Sequence, residues 1–347
     1  MKHFDKNNLT RGARIIAQKW MDLRKKNSVL IITEAAHEAE MQVLKACAEN
    51  IGAKVQIELL PGLLSPELLS NELLSNEDID SFFRRLADKI SSYDVIVGAT
   101  YHSIVTTELV QQAVKGGASF LSLPLATNDG RSLLEYDFLQ MDTAKSRFIA
   151  KELLKYINTS SHLRVSTLAG TDLTLRKVGR NGNYFNGKAK DSKGFASSSF
   201  EVYIPIEEDR TEGIVILDGS LGYLGRVDKP FKIRFKGGRI VEIEQSPCGQ
   251  RLANYIADFS DEKLYHASEF GIGTNFLSKC MGNSYIEDES AYGTCHLGFG
   301  RNLALGGEFN ASGHFDIILL APTIYADNRM IMENGVMIPA VLDVCSF

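Results

Sequence analysis

Short apolar runs separated by helical patterns dominate the first part of the chain. Residues 28–33, 54–59, 93–98 and 118–123 each have the length and composition of a strand. Continuous apolar runs of this kind are typical of strands buried on both faces of a parallel sheet. Apolar residues recur at helical spacing between these runs, so strand and helix alternate. The pattern predicts an α/β domain with a parallel, Rossmann-like sheet over residues 1–160.

The pattern changes after the polar stretch Asn158-Thr159-Ser160-Ser161, which follows a predicted helix beginning at Asp142. Short strands with turn signals then predominate, at residues 163–168, 173–178, 200–204, 213–218, 231–235 and 239–244. Gly237-Gly238 between the last two is typical of a hairpin turn. The second half is therefore predicted to be an α+β metal-binding domain with largely antiparallel strands, over residues 161–347.

Two segments of the first half have a less regular pattern. A Leu-Leu-Ser triplet occurs three times between Leu63 and Ser75, at a five-residue spacing that matches neither helix nor strand. We interpret this segment as a loop or a set of short helical turns. Apolar residues from Ile79 to Ile90 then predict an amphipathic helix. No GxGxxG follows the first predicted strand, so a dinucleotide cofactor is not indicated.

Charge and composition narrow the class of protein. The 347 residues are 44% hydrophobic and 23% charged, with a net charge of -5 and no basic stripe, so no nucleic-acid partner is expected. No apolar run approaches the roughly 20 residues that span a bilayer, so no membrane partner is expected either. The N-terminus is polar, and the five cysteines lack CxxC spacing. We therefore expect reduced thiols and a cytoplasmic location.

The candidate chemistry is concentrated between Tyr265 and Asp316. Histidines and carboxylates are interleaved there, among them Glu269, His296 and His314. Imidazole and carboxylate together are the ligands of zinc, manganese, cobalt or non-haem iron. His314 and Asp316 open an apolar strand, and side chains two residues apart on a strand share a face. The set predicts a metal site, with His314 and Asp316 binding one ion together.

Two further polar positions are candidates for catalysis. Glu287 lies in the acidic triplet Glu287-Asp288-Glu289, which suits proton transfer or hydrogen bonding to the histidines. The alternative for this triplet is a solvated helix N-terminus, which carboxylates also favour. His102 directly follows the third predicted strand, and open α/β sheets bind ligands at the carboxyl ends of their strands. It is either a substrate contact or the start of the next helix.

An ordered series of motifs carries a family resemblance over nearly the whole chain. The motifs are Gly170-Thr171-Asp172-Leu173-Thr174, Glu201-Val202-Tyr203-Ile204-Pro205, Glu269-Phe270-Gly271-Ile272-Gly273-Thr274-Asn275, Glu287-Asp288-Glu289, Gly293-Thr294-Cys295-His296-Leu297-Gly298 and His314-Phe315-Asp316. Their order resembles the dinuclear metallopeptidases of the aminopeptidase T type. The resemblance implies two divalent ions, zinc, cobalt or manganese, with Glu201, Glu269, His296, His314 and Asp316 as ligands. It does not include His266.

The implied activity is hydrolysis of short peptides from their amino terminus, or of a small amide. Two ions sharing a carboxylate and a water generate a nucleophilic hydroxide. We expect Asp316 to be that shared carboxylate, and Glu269, Glu287 and His102 to be the catalytic residues. The resemblance also implies a homodimer assembled through the C-terminal half.

One departure from the peptidases supports an alternative activity. The peptidases carry a tyrosine a few residues after the position of His296, whereas Phe299 to Leu305 contain none here. The 2,5-dihydroxypyridine ring-cleaving dioxygenases resemble the same fold and hold one Fe(II), with a histidine at the position of Glu269. His102 matches a histidine near their substrate. Retention of Glu201, Glu269 and His296 favours the two-metal hydrolase, and a member that only binds a small ligand is a third hypothesis.

Overall fold

The computed structural model describes residues 4–60, 85–87, 89–101, 103–104, 108–189 and 194–338. Contacts divide the chain into two compact units, the first formed by Met1–Gln140 with Phe185–Ser198 and the second by Met141–Tyr184 with Ser199–Phe347. The division into domains at residue 160 stays a prediction.

The secondary structure follows the predicted order. The strands are β1 (Ser28–Glu34), β2 (Lys54–Leu60), β3 (Val95–Ala99), β4 (Ser119–Ser122), β5 (His162–Ser166), β6 (Asp172–Arg176), β7 (Asn183–Asn186), β8 (Phe195–Ser197), β9 (Phe200–Pro205), β10 (Glu212–Leu217), β11 (Phe231–Lys236), β12 (Arg239–Ile243), β13 (Ala267–Gly273), β14 (Thr294–Gly300), β15 (His314–Leu320), β16 (Thr323–Ala326), β17 (Arg329–Glu333) and β18 (Val336–Met337). The helices are α1 (Lys6–Ile15), α2 (Glu38–Ile51), α3 (Glu108–Lys115), α4 (Thr143–Ile157), α5 (Pro247–Asp258) and α6 (Tyr285–Ser290).

The first unit contains a parallel sheet in the order β2-β1-β3-β4-β8. Its strands bury apolar side chains such as Leu30, Ile96 and Phe120, because helices and sheet enclose them. The predicted α/β architecture with a parallel sheet is confirmed for this part. The fifth strand, β8, was not predicted, because its three residues Phe195–Ser197 are too few to show a pattern.

Several predicted features fall outside the described residues. The Leu-Leu-Ser repeat between Leu63 and Ser75 and most of the predicted helix that ends at Ile90 lie there, as does His102. Within the part that the structure describes, no helix is long and apolar enough to cross a membrane.

The second unit contains two antiparallel sheets. One has eight strands in the order β12-β11-β10-β6-β5-β16-β17-β18, and the other has the order β15-β14-β13-β9-β7. The hairpin between β11 and β12 turns at Gly237 and Gly238, both with positive φ, as the two-residue turn requires. The prediction of a largely antiparallel second half is confirmed.

A large apolar core lies within the described part of the second unit. Val215 and Ile233 from the eight-stranded sheet, and Phe270 and Leu297 from the five-stranded sheet, belong to the same buried cluster. The helix α4 begins at the predicted N-cap Asp142, whose carboxylate accepts the amide N–H groups of Ala144 and Lys145. One face of the five-stranded sheet packs against this core, and polar side chains lie on its other face.

Candidate metal centre

Four neighbouring strands of the five-stranded sheet place their polar side chains on one face. Because side chains alternate along a strand, Phe270 and Ile272 of β13 enter the core while Glu269 points to the opposite face. In the same way β14 and β15 present His296, His314 and Asp316 on that face, and β9 presents Glu201. The alternation visible in the sequence therefore becomes a sheet with an apolar face and a face of metal-binding donors.

Glycines between the donors provide the space that they need. A Cβ atom at Gly271 would lie 1.9 Å from the ring of His296. A Cβ atom at Gly298 would lie 2.7 Å from Asp316 Oδ1 and 2.8 Å from Glu269 Cβ. Register explains these contacts, because Gly271 pairs with His296, and Gly298 pairs with both Glu269 and Asp316. Each glycine thus leaves the room that a neighbouring strand's donor occupies.

The five predicted ligands form two groups with one shared member. In the inner group, donor atoms of Glu201, Glu269 and His296 lie within 4.8 Å of one another. In the outer group, donor atoms of Glu269, His314 and Asp316 also lie within 4.8 Å of one another. The side chain of His296 is 1% exposed and that of His314 is 23% exposed, so solvent reaches the outer group only.

The ion-pair distances identify the atoms that face each other. His296 Nε2 lies 2.9 Å from Glu201 Oε2. His314 Nε2 lies 3.2 Å from Glu269 Oε2 and 3.3 Å from Asp316 Oδ1. The Nδ1 atom of His314 lies 2.9 Å from the carbonyl oxygen of Arg301. A hydrogen bond from Nδ1–H to that carbonyl fixes the tautomer and leaves Nε2 to face the donors.

Unsatisfied buried atoms indicate that these residues fit a cation. Glu201 Oε2, His296 Nδ1 and Asp316 Oδ1 are buried, and none takes part in a hydrogen bond of normal geometry among the described residues. Both oxygens lie close to an imidazole without the direction that an N–H donor requires. A divalent cation imposes no such direction on a carboxylate. Buried polar atoms of this kind call for an explanation, and a bound cation provides one.

The charges of the centre are strongly coupled. Burial alone would lower the pKa of His296, but the carboxylates of Glu201, Asp316 and Glu269 together outweigh burial and raise the pKa to about 9. Burial likewise opposes the charge of His314, whose pKa is nonetheless raised well above its usual value by Asp316 and Glu269. Burial raises the pKa of Glu269, with His314 opposing. A ligand imidazole must be neutral, so cation binding would release these protons.

The helix α6 contributes a residue that the sequence analysis missed. Tyr285 donates its phenolic hydrogen to Asp316 Oδ2 at 2.5 Å. The family resemblance placed a tyrosine after His296, whereas Tyr285 precedes His296 by eleven positions and reaches the centre through tertiary packing. Tyr292, which follows Tyr285 in sequence, lies elsewhere, because its hydroxyl accepts the amide of Met337.

The remaining predicted residues have different positions. Glu287 is buried in α6 but belongs to neither donor group. The Nδ1 atom of His266 lies 2.9 Å from the carbonyl oxygen of Glu208, so this histidine is outside the centre, as expected. Asp316 was expected to be shared between two ions, and this stays a prediction. Among the described residues, Glu269 belongs to both donor groups and Asp316 to the outer group alone. The register decides this difference, since β13 lies between β9 and β14.

Comparison with known proteins identifies a family and two related folds. A family model described as 2,5-dihydroxypyridine 5,6-dioxygenase, NicX, matches residues 18–339. The structure of 2,5-dihydroxypyridine dioxygenase from Pseudomonas putida KT2440 superposes with a TM-score of 0.79 at 18% identity, covering 96% of this chain and 98% of that one. AmpT from Thermus thermophilus superposes with a TM-score of 0.64 at 16% identity, covering 96% and 100%. No curated relative matches the sequence.

These identities establish a shared fold and not a shared activity. The family model covers most of the chain, and both solved structures are covered almost completely, so the likeness extends over both units. The expected relationship to aminopeptidase T and to the dioxygenases is therefore confirmed. The chain belongs to the family of 2,5-dihydroxypyridine 5,6-dioxygenase, whose fold includes aminopeptidase T, and its members are metal-dependent enzymes.

Proposed function

We propose that the protein is a metal-dependent oxygenase that opens a small hydroxylated ring of the dihydroxypyridine type. The observation that carries this proposal is the family match over residues 18–339. The outer group supports it, because one partly exposed imidazole and two buried carboxylates could hold one ion within reach of a small substrate. This was the alternative in the sequence analysis.

The roles of the residues follow from their positions. Glu269, His314 and Asp316 would hold Fe(II), which supplies one-electron and oxygen chemistry when bound. The carbonyl of Arg301 orients His314 through Nδ1. The carboxylates of the inner group, buried beside His296, add negative charge that attracts a cation. We propose that the substrate is a small molecule that approaches on the side of His314.

Anaerobic loading with Fe(II) followed by oxygen uptake tests the proposal. With 2,5-dihydroxypyridine and related dihydroxylated rings, we expect oxygen consumption equal to substrate consumed. His314→Gln should abolish this uptake, because it removes the exposed ligand. His162→Gln is the matched control, since His162 is an exposed histidine at the start of β5. Stoichiometric iron without oxygen uptake on any ring would contradict the proposal.

A second candidate function is hydrolysis of a peptide or small amide by two metal ions. The observation that favours it is Glu269, which belongs to both donor groups and could therefore be shared by two ions. Each group also contains a single imidazole, whereas iron oxygenases commonly use two histidines and one carboxylate. Zinc, cobalt or manganese would then supply a hydroxide nucleophile.

Metal content separates the two functions. Purification without chelators, followed by loading with Zn²⁺, Co²⁺ or Mn²⁺, should give two ions per chain if the protein is the hydrolase. Cleavage of aminoacyl amides or dipeptides by the loaded protein would support hydrolysis. One ion per chain, with every amide uncut, would exclude it.

We also propose a homodimer assembled through the second unit. The expected resemblance to aminopeptidase T is its basis. Light scattering at micromolar concentration should give twice 38.4 kDa. The mass of a single chain would contradict the dimer.

A further inference from the structure

The carboxylate of Asp316 has two different oxygen environments. Its Oδ2 atom accepts a hydrogen bond from the Tyr285 phenol. Its Oδ1 atom lies 3.3 Å from His314 Nε2 and has no hydrogen bond of normal geometry among the described residues. One oxygen is therefore occupied by a protein donor, and the other faces the outer group.

The ring of Tyr285 is held rigidly in place. It stacks on Tyr223 with the ring centroids 4.4 Å apart and the planes 25° from parallel. Tyr223 approaches because Gly222 next to it has a φ of +59° and lies against the backbone of Asp316, where a Cβ would meet the carbonyl oxygen at 2.6 Å. Tyr285 is only 9% exposed, so its hydroxyl has little access to water.

The start of α6 is fixed independently of Asp316. Ser284 caps the helix by accepting the amide of Glu287. Asp288 accepts the amides of Met281 and Gly282, which ties the preceding loop to the helix. The position of the Tyr285 hydroxyl is thus set by packing on both sides of the residue. A donor that is positioned in this way can orient the carboxylate that it contacts.

We infer that Tyr285 is a positioning residue that commits Asp316 to the outer group by occupying Oδ2 and presenting Oδ1. This inference rests on the proposed metal centre. With Oδ2 engaged, Asp316 offers one oxygen, whereas Glu269 has donor atoms near both groups.

Tyr285 would act on the outer group through Asp316, although it lies outside the position of the family tyrosine. Loss of the hydroxyl would release Oδ2 and allow the carboxylate to rotate about its terminal torsion. The outer group would then lose its fixed geometry while every ligand remained present. Removal of a hydrogen-bond partner of a metal ligand typically weakens metal binding by about 10–100-fold.

Cobalt titration of the full chain tests the role of Tyr285. We expect Tyr285→Phe to bind Co²⁺ about 10–100-fold more weakly and to alter the visible absorption spectrum of the bound cobalt. Tyr292→Phe is the matched control. The hydroxyl of Tyr292 accepts the backbone amide of Met337, the ring packs against the apolar core, and the residue belongs to neither donor group, so affinity and spectrum should be unchanged. Competition with a chelator gives the affinities, and thermal melting of each variant reports its fold.

Each outcome distinguishes the inference from the metal centre on which it rests. If wild-type protein binds no Co²⁺, the metal centre itself is overturned. If wild type and Tyr285→Phe bind equally with the same spectrum, the role of Tyr285 is overturned and the centre stands. Should Tyr285→Phe not fold, 3-fluorotyrosine placed at residue 285 retains the ring. Its fluorine resonance should shift strongly with Co²⁺, and an unshifted resonance would overturn the inference.

Discussion

The inner and outer donor groups use the same residue types and share Glu269, yet their environments differ. In the inner group, the side chains of Glu201 and His296 are 6% and 1% exposed, and Ser199 donates to Glu201 Oε1 at 2.6 Å. In the outer group, His314 is 23% exposed. The strands explain the difference, because His296 lies within β14 whereas His314 is the first residue of β15.

The difference in exposure indicates different roles for the inner and the outer group. A buried group suits an ion that stays in place, because solvent has little access to its ligands. A group at the end of a strand suits an ion that meets substrate, since a catalytic site keeps an open position. On this basis we propose that the outer group carries the chemistry in either proposed function. The predictions below are directed at this distinction, from the largest expected effect to the smallest.

Removal of the Glu269 carboxylate, which both groups share, should affect the inner and the outer group alike. We expect Glu269→Gln to weaken metal binding at both groups by more than about 100-fold, because it deletes a ligand and not just a ligand's partner. Elemental analysis after dialysis measures the retained metal. Glu287→Gln is the matched control, as Glu287 is also a buried carboxylate but belongs to neither group. Equal retention in both variants would show that Glu269 is no ligand.

A pair of histidine variants should separate the groups. We expect His296→Gln and His314→Gln each to lose one ion when two are bound, since each group has one imidazole. If a single outer ion performs the chemistry, only His314→Gln abolishes turnover. If hydrolysis needs two ions, both variants abolish turnover. Retained activity in His314→Gln would contradict the assignment of the chemistry to the outer group.

A methyl group on the donor face should disturb the inner group first. In Gly271→Ala the new Cβ would lie 1.9 Å from the His296 ring, so the imidazole must move. We expect a loss of about 1–3 kcal/mol in the free energy of unfolding, together with weaker metal binding. Denaturant unfolding measures the first quantity. Gly116→Ala is the control, because its nearest neighbour lies 3.3 Å away on an exposed surface.

The pH dependence should be opposite for the metal-free fold and for metal binding. The pKa of His296 is raised to about 9, so its charge stabilises the fold below the unfolded value of about 6.5. That stabilisation should be lost as pH rises through about 9, lowering Tm of the chelator-treated protein. Cation binding instead displaces the proton, so Zn²⁺ affinity should rise with pH by about tenfold per unit for each proton released.

His296→Gln checks the assignment of this pH dependence. The variant should lose the decline of Tm near pH 9 and reduce the proton release on Zn²⁺ binding by one. An unchanged Tm profile in the variant would mean that another group titrates. The same comparison in His314→Gln tells whether the outer imidazole titrates separately.

Sequence alone determined the elements and the donor types of this protein. The apolar runs of the first half predicted β1 to β4, because a buried parallel strand leaves a continuous apolar signal. Alternation predicted the shared face of His314 and Asp316 on β15, since side chains on a strand alternate with a period of two. No strand was predicted over β13 or β14, and the set of five ligands came from the family resemblance.

Tertiary structure decided how those donors combine. Strand order places β13 between β9 and β14, so Glu269 belongs to both donor groups and Asp316 to the outer group alone. The phenol near the centre comes from Tyr285 on α6, whose approach depends on stacking with Tyr223 and on packing at Gly222. Neither fact has a local sequence signal, because strand order and side-chain contact join residues far apart in the chain. The local sequence pattern predicts which face of a strand a residue occupies. Only the tertiary structure determines which residues that face contacts.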